Sequence, residues 1–382
     1  MTEKNLTNKI LPVLFGFFIM GFVDVVGIST NYVKQDFALS DTLANLLPMM
    51  LFLWFAILSV PTGLLMNKIG RKKTVLLSMG ITFLAMLVPL VSYSFTMILI
   101  AFSLLGIGNT IIQVSLNPLL LNVVRGDRLT SSLTLGQFIK AIAAFLGPII
   151  AGVAAVSLGN WKFIFLVFAA ITVISGFWLM LTPIYEEPVD VSFSSFTASF
   201  GLLKDPTILM LFLGIIFVVG VDVGLNTTIP KFLIERSNIP LEKAGLGTSL
   251  YFAARTIGTF AGAILLIKLS GRNFFIVSML IAIPVLIIML FVENLWAILS
   301  LIFLLGLAVA NVFSIIFSAA LRRRPQRGNE ISGLLIMGIA GGAVIPLIMG
   351  VVSDSYGQTG GMAVLLVALV YLMYSAYKLE RD

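Results

Sequence analysis

The feature that most constrains this chain is a series of long apolar runs, each long enough to cross a lipid bilayer. A helix needs about 20 apolar residues to span the hydrocarbon core. Of the 382 residues, 59% are hydrophobic and 11% are charged, whereas a soluble chain carries about 25% charged residues. The runs predict an all-α membrane protein with twelve transmembrane helices, at 10–33, 43–67, 74–93, 96–122, 131–156, 162–182, 206–230, 244–268, 274–291, 295–320, 331–353 and 361–378.

Lysine and arginine residues are unevenly distributed between the two sets of connecting loops. With the N-terminus in the cytoplasm, 17 of them fall on the cytoplasmic side and 5 on the outer side. Because basic loops are retained in the cytoplasm, this count predicts a multi-pass protein of the plasma (inner) membrane with both termini cytoplasmic. The net charge of +7 therefore reflects topology, and no nucleic-acid partner is expected.

The residue types that are missing also limit the chemistry. The chain has no cysteine and no histidine, which excludes disulfides, thiol chemistry and histidine proton relays. The sequence contains no recognisable nucleophile–base pair, metal cluster or phosphate-binding loop. We therefore expect neither an enzyme nor a cofactor, and we expect a monomer whose partners are the bilayer, a small solute and protons.

Two sequence segments recur at one fixed spacing. Asp24–Thr30 in the first span is repeated by Asp222–Thr228 in the seventh, 198 residues later. Pro148–Gly152 matches Pro346–Gly350 at the same spacing. Two matches at one offset indicate a duplication, which predicts an N-terminal six-helix bundle (1–182), a cytoplasmic linker (183–205) and a C-terminal six-helix bundle (206–382).

The loop between the second and third spans carries a glycine-rich basic motif. Its sequence resembles the G-x-x-x-D-(R/K)-x-G-(R/K)-(R/K) signature of the major facilitator superfamily, whose architecture is also a parallel repeat of six spans. The resemblance implies that this loop is a conformational latch. Asn67 stands where the signature has aspartate, so the latch loses a charge-assisted bond. The predicted latch residues are Gly63, Asn67, Lys68, Gly70 and Arg71.

The fourth span combines a glycine pair with a polar stripe. Asn109, Gln113 and Asn117 follow each other at intervals of four residues and so share one helix face. The glycines and the Asn-Pro pair resemble the fucose–proton symporter (sugar permease) family, which implies a sugar substrate. That family has an acid where this chain has Gln113, so a proton carrier must lie elsewhere. The alternative is that the stripe only joins neighbouring helices.

Four charged residues lie in the interior of the predicted spans, away from the span ends. Because a charge inside the membrane must face water or a partner, we expect Asp24 to pair with Lys140 and Asp222 with Arg255. Lysine changes protonation more readily than arginine, which makes the Asp24 pair the one predicted to respond to protons. Proton-coupling roles are predicted for all four residues, and permanent structural ion pairs are the alternative.

Other polar or aromatic residues in the spans are candidates for contact with the solute. Side-chain amides inside a membrane need partners, and the hydroxyl groups of a sugar would supply them. Trp54 could stack on a sugar ring or could face lipid. The predicted substrate-binding residues are Asn31, Asn109, Gln113, Asn117, Gln137, Asn226, Tyr251, Asn311 and Trp54.

These features together predict a secondary active transporter, a proton-coupled sugar symporter that works by alternating access. One alternative is a symporter for organic anions or acidic sugars, in which Arg255 and Lys140 bind the carboxylate. Another is a drug–proton antiporter, because Gly147–Gly152 partly matches a motif of that group.

Overall fold

The computed structural model describes residues 3–124, 128–186, 200–266, 269–324 and 327–379. Three short 3₁₀ segments occur within these ranges, at Gly21–Val25, Leu202–Lys204 and Gly338–Ala340. The α-helices of the described chain are α1 (Glu3–Met20), α2 (Val26–Asp36), α3 (Asp41–Ala44), α4 (Leu46–Ile69), α5 (Arg71–Val91), α6 (Phe95–Val123), α7 (Arg128–Leu158), α8 (Phe163–Leu181), α9 (Pro206–Ser237), α10 (Leu241–Leu265), α11 (Gly271–Phe291), α12 (Leu295–Val309), α13 (Val312–Arg323), α14 (Gly328–Met337) and α15 (Gly341–Lys378).

Ten segments of the described chain are long and apolar enough to cross a membrane. Nine of them correspond to single predicted spans, and the tenth, 331–378, covers two. The remaining predicted span coincides with α10, which is less apolar because it contains Glu242, Lys243 and Arg255. The all-α membrane fold is confirmed, and the number twelve remains a prediction.

The last two predicted spans are joined without a loop at a sharp bend within α15, where the backbone of Gly357 is not helical. Gly357 has φ 69° and ψ −178°, a left-handed φ that glycine adopts at little cost. The carboxylate of Glu235 accepts a hydrogen bond from the Gln358 backbone N–H at 2.9 Å. A glycine and a carboxylate from another span therefore replace the loop predicted between the two spans.

Two further helix interruptions coincide with predicted site residues. In the first span, a 3₁₀ turn at Gly21–Val25 contains Asp24 and separates α1 from α2. In the tenth, Ala310 and Asn311 separate α12 from α13. By contrast, α9 runs unbroken past Asp222. The two halves of the sequence repeat therefore differ in backbone structure, and the first carries a local break of the kind often found at hinges.

The chain divides into two compact units: unit one is Met1–Val25 with Leu53–Phe193, and unit two is Val26–Phe52 with Ser194–Asp382. Val26–Phe52 precedes the predicted linker in sequence but belongs to unit two. The division at 183–205 into two six-helix bundles remains a prediction, and 187–199 of that linker lies outside the described residues.

In unit one, α5 packs against α6 and α8, and α1 packs against α6, α7 and α8. Small residues allow the helix backbones to approach each other. A Cβ on Gly21 would lie 2.6 Å from the carbonyl oxygen of Lys140. Next to this crossing, the rings of Phe22 and Phe168 stack with 3.8 Å between centroids. The 3₁₀ turn that contains Asp24 is thereby fixed against α7.

In unit two, α9 packs against α10 and α15, and α10 packs against α12. A Cβ on Gly341 would lie 2.0 Å from the carbonyl oxygen of Ile216, so the backbones touch there. Gly220 is equally close to the side chain of Ile345. These contacts pack α9, which carries Asp222, closely against α15.

Candidate functional site

The predicted ion pair between Asp222 and Arg255 is present. Arg255 Nη1 lies 2.5 Å from Asp222 Oδ2, and the side chains are 34% and 17% exposed. The buried Tyr251, one turn before Arg255 on α10, donates its hydroxyl to Asp222 Oδ1 at 2.8 Å. Both carboxylate oxygens of Asp222 are therefore occupied as hydrogen-bond acceptors.

A small cavity of about 20 Å³ borders this pair, lined by Val218, Val219, Asp222, Arg255, Val309 and Phe313. A polar cavity of this size has room for about one water molecule. The polar side of the cavity is formed by the two charged groups, and the rest is apolar. The pair is thus held in a confined site with space for a single hydrating molecule.

Asp24 is half-buried in the 3₁₀ turn of unit one. Lys140 is half-buried on α7, whose backbone touches that turn at Gly21. The two predicted partners therefore lie on elements in direct contact, and the ion pair between them remains a prediction. Gln137, one turn before Lys140, is exposed.

The predicted stripe on the fourth span is bonded to protein in this structure. Asn109 donates to the carbonyl oxygen of Met20 at 2.9 Å, and Gln113 donates to Asn109 Oδ1 at 2.8 Å. Asn117 is half-buried, and its Oδ1 has no hydrogen-bond partner among the described residues. Asn109 thus ties α6 to α1, while Asn117 retains an unused acceptor.

In unit two, Asn31 is bonded in a similar way. Its amide donates to the carbonyl oxygens of Gly27 at 2.7 Å and Thr227 at 3.0 Å. The close approach requires glycine, because a Cβ at Gly27 would lie 1.9 Å from Asn226 Oδ1. Asn31 and Asn226 therefore join α2 to α9 in this structure, and their contact with a solute remains a prediction.

Two more candidates also link helices. Asn311, at the break in the tenth span, donates to the Gly258 carbonyl oxygen of α10 at 2.7 Å. Trp54 donates its indole N–H to Ser103 Oγ at 2.8 Å, which joins α4 to α6 in unit one. Since the ring of Trp54 is half-buried, only part of its face is open to any ligand.

The loop of the predicted latch is organised around a residue that the motif does not contain. Gly70 has φ 87° and no side-chain cap. The Glu186 carboxylate instead accepts the backbone N–H groups of Arg71 at 2.5 Å and Lys72 at 2.8 Å. A carboxylate at a helix N-terminus satisfies unpaired donors and the helix dipole. Glu186 therefore supplies a negative charge to the loop in which Asn67 replaces aspartate.

The basic residues of the loop bind the ends of neighbouring helices. Arg71 donates to Asn122 Oδ1 at 2.7 Å and to the Pro118 carbonyl oxygen at 3.2 Å. Lys72 donates to the carbonyl oxygens of Met180 at 2.9 Å and Thr182 at 2.7 Å. Lys68 is exposed, Gly63 is half-buried within α4, and the side chain of Asn67 lies outside what the structure describes. The latch role remains a prediction.

One group of polar residues was not recognised from the sequence. Asp41 and Lys231 are both buried and form an ion pair at 2.9 Å. Lys231 lies one residue beyond the predicted seventh span (206–230), but α9 continues to Ser237 and so contains it. Asp354, one residue beyond the predicted eleventh span, accepts a hydrogen bond from the backbone N–H of Asp41. The sequence feature that could have indicated a buried lysine is Lys231 directly after Pro230, because a long helix can accommodate a proline.

Comparison with known proteins places this fold in a family. A model of the Major Facilitator Superfamily matches residues 13–245. The chain belongs to the Major Facilitator Superfamily, and it is a transporter rather than an enzyme.

Relatives match over almost the whole chain. A glucose/galactose transporter of Brucella abortus is 23% identical over 98% of this chain and 94% of the relative. The E. coli fucose:proton symporter FucP superposes with a TM-score of 0.71 at 18% identity, covering 98% of this chain and 99% of the other. A bacterial homologue of the human lysosomal transporter Spinster, inward-facing and unoccupied, gives 0.79 at 17% identity, covering 99% and 98%. The two solved structures establish the likeness of fold.

Proposed function

We propose that the protein is a proton-coupled sugar symporter that works by alternating access. The observation that carries this proposal is the near full-length match to a glucose/galactose transporter. The glycine pair and polar stripe of the fourth span support the same solute class. In this fold, rocking of two halves about a central site exposes the solute to each side of the membrane in turn.

Asp24 is the proton carrier in this proposal. Asp222 accepts hydrogen bonds on both carboxylate oxygens, from Arg255 and from Tyr251. A proton on Asp222 would displace one of these donors, and arginine does not give up its own proton. Asp24 lies on a short 3₁₀ turn against α7 near Lys140, where a lysine partner can be exchanged for a proton.

The contacts of Arg255 favour a neutral solute over an anion. Its guanidinium is already paired with Asp222 at 2.5 Å. A substrate carboxylate would have to displace that aspartate, which would leave a second negative charge without its partner. We therefore propose a neutral sugar, and the anion symporter that uses Arg255 and Lys140 becomes an outcome of the test.

Hydrogen bonds to the sugar are assigned to the amides of the spans. Asn117 has an unused acceptor and Gln113 is half-buried, so these two are the first candidates for hydroxyl contacts. Asn31, Asn109 and Asn311 bond to backbone carbonyls in this structure. In the proposal these bonds are exchanged for solute hydroxyls during the cycle.

The proposed setting is a plasma (inner) membrane with both termini in the cytoplasm, in agreement with the excess of basic residues on that side. The protein would act as a monomer. The end of the first span near Lys34 and the end of the seventh near Lys231 then lie on the outer side.

Uptake into proteoliposomes with an imposed pH gradient tests the proposal. The solutes are glucose, galactose and fucose as neutral sugars, glucuronate as an acidic sugar, and a lipophilic cation. Accumulation of a neutral sugar that depends on the gradient is expected. Accumulation of glucuronate alone, abolished by Arg255→Gln, would replace the proposal by the anion symporter, and cation export would replace it by the antiporter.

A further inference from the structure

Asp41, at the start of the second span, is the buried centre of a group of polar residues in unit two. Its Oδ1 accepts Lys231 Nζ at 2.9 Å, and its Oδ2 accepts Lys34 Nζ at 2.8 Å and Gln358 Nε2 at 2.7 Å. The side chains of Asp41 and Lys231 are only 5% and 6% exposed. We call Lys34, Asp41, Lys231, Asp354 and Gln358 the Asp41 cluster.

Asp354 holds the backbone of the same segment. Its two carboxylate oxygens accept the N–H groups of Asp41 at 2.5 Å and Thr42 at 2.9 Å, and the Thr42 hydroxyl as well. The segment that starts the second span is therefore fixed from two directions, through its side chain and through its main chain. Apart from Lys34, its partners come from positions 190 to 317 residues away in sequence.

The Asp41 cluster joins segments that belong to different halves of the predicted repeat. Lys34 and Asp41 come from the first and second spans. Lys231 comes from the seventh, and Asp354 and Gln358 flank the bend at Gly357. In a transporter whose two halves must separate on one side, bonds that cross between halves on that side have to break.

The position of the Asp41 cluster is the one expected of a barrier between the outer solution and the ion pair of Asp222 with Arg255. Lys231 follows Asp222 by nine residues on one unbroken helix, which is about 14 Å along the axis at 1.5 Å per residue. A cavity of about 650 Å³ reaches the cluster from the span ends. Its lining combines exposed Gln35 and Glu235 with buried Lys231 and Gln358, so the cavity ends where the cluster begins.

The free energy of the buried Asp41–Lys231 ion pair favours two distinct states, one closed and one open. When one partner of a buried ion pair is removed, the other charge stays buried without compensation, which strongly disfavours the closed arrangement. When both partners separate into water, each charge is hydrated. The closed state therefore needs all its partners, whereas an open state does not.

We propose that the Asp41 cluster is the outer lock of the transport cycle, in which Asp41 and Lys231 are positioning residues that keep the outer side closed. The inference rests on the alternating-access part of the proposed function and does not depend on which solute is carried. The lock must open before the solute can enter from outside.

The natural absence of cysteine allows a direct accessibility assay. Ile28 is 1% exposed and lies one turn before Asn31, a residue that lines the cavity. In Ile28→Cys, labelling by a membrane-impermeant maleimide from outside reports opening of the outer side. Ser318→Cys, which is exposed near the predicted inner end of the tenth span, reports the inner side in the same way.

Asp41→Asn and Lys231→Met, each combined with Ile28→Cys, should raise labelling from outside by about tenfold. Each combined with Ser318→Cys, the same two substitutions should lower labelling from inside. The exchange of charges in Asp41→Lys with Lys231→Asp should return both rates toward the parent. Lys243→Met, at an exposed lysine on α10, is the matched control and should change neither.

Unchanged outside labelling in lock variants that elute as a single folded species would overturn the lock. So would a rise on both sides together, since that indicates general loosening, or a rise only for reagent added inside. If Asp41→Asn fails to fold, Gln358→Met removes one donor without leaving a charge unpaired, and it should raise outside labelling several-fold. No solute is added, so a wrong solute assignment would leave these results unaffected.

Discussion

Removal of the arginine from the Asp222 site should destabilise the protein, and removal of the aspartate as well should recover part of the loss. In Arg255→Met, the Asp222 carboxylate keeps the Tyr251 hydroxyl as its hydrogen-bond donor among the described residues. Removal of one partner of a fully buried pair costs about 3–5 kcal/mol. Because these side chains are 34% and 17% exposed, we expect about 2 kcal/mol, within the range for hydrogen bonds to charged groups.

The assay is a double-mutant cycle of Arg255→Met, Asp222→Asn and the double variant, measured by thermal unfolding of purified protein in detergent. The single arginine variant should melt a few degrees lower. The double variant should be more stable than the sum of the single effects by about 1 kcal/mol, as expected for residues in contact. Arg327→Met, at an exposed arginine, is the control. Strict additivity would refute the energetic role of the pair.

Three further changes test other contacts. Glu186→Ala should lower stability by about 1–2 kcal/mol, because the first turn of α5 loses its capping carboxylate, and Glu293→Ala at an exposed site is its control in the same melting assay. Asn109→Ala should cost about 1–2 kcal/mol, because the carbonyl of Met20 loses its buried donor. Burial raises the pKa of Asp205, but hydrogen bonds from the first turn of α9 and from a neighbouring arginine together lower it by more, so the net pKa is depressed. The stability contributed by Asp205 should be fully present above about pH 4 and lost as the pH falls through the depressed pKa. Asp205→Asn should remove this dependence in melting curves recorded from about pH 7 down to about pH 2.

Each of these three expectations can fail separately. If Glu186→Ala melts like the parent, the cap contributes nothing to stability. If Asn109→Ala is as stable as the parent, the bond between α6 and α1 is replaceable. If Asp205→Asn loses as much stability on acidification as the parent, the acid sensitivity comes from other carboxylates.

Local patterns in the sequence were sufficient for the parts of the site that depend on one helix or on charge balance. Hydrophobic run length predicted the spans, since the membrane fixes their length. A charged residue inside a membrane needs a partner, and this requirement predicted the ion pair between Asp222 and Arg255. Asn109 and Gln113 were placed on one face by their spacing, and that face is bonded as one would expect for amides inside a membrane.

Contacts between distant segments were the part that the sequence did not reveal. The predicted seventh span ends at Pro230, seven residues before α9 ends. That boundary placed Lys231 in a loop and hid its pairing with Asp41. The role of Glu186 as a cap on α5 was hidden for a similar reason, because its partners lie 114 and 115 residues earlier.

The measurement that tests the central claim most directly is made on Asp24→Asn in proteoliposomes. Galactose accumulation driven by a pH gradient is compared with galactose exchange at equal pH, with Asp36→Asn, at an exposed acid on α2, as the control. If Asp24 carries the proton, Asp24→Asn loses accumulation and keeps exchange, while the control keeps both. If Asp24→Asn still concentrates galactose against its gradient, Asp24 is not the coupling residue and the account is wrong at its centre.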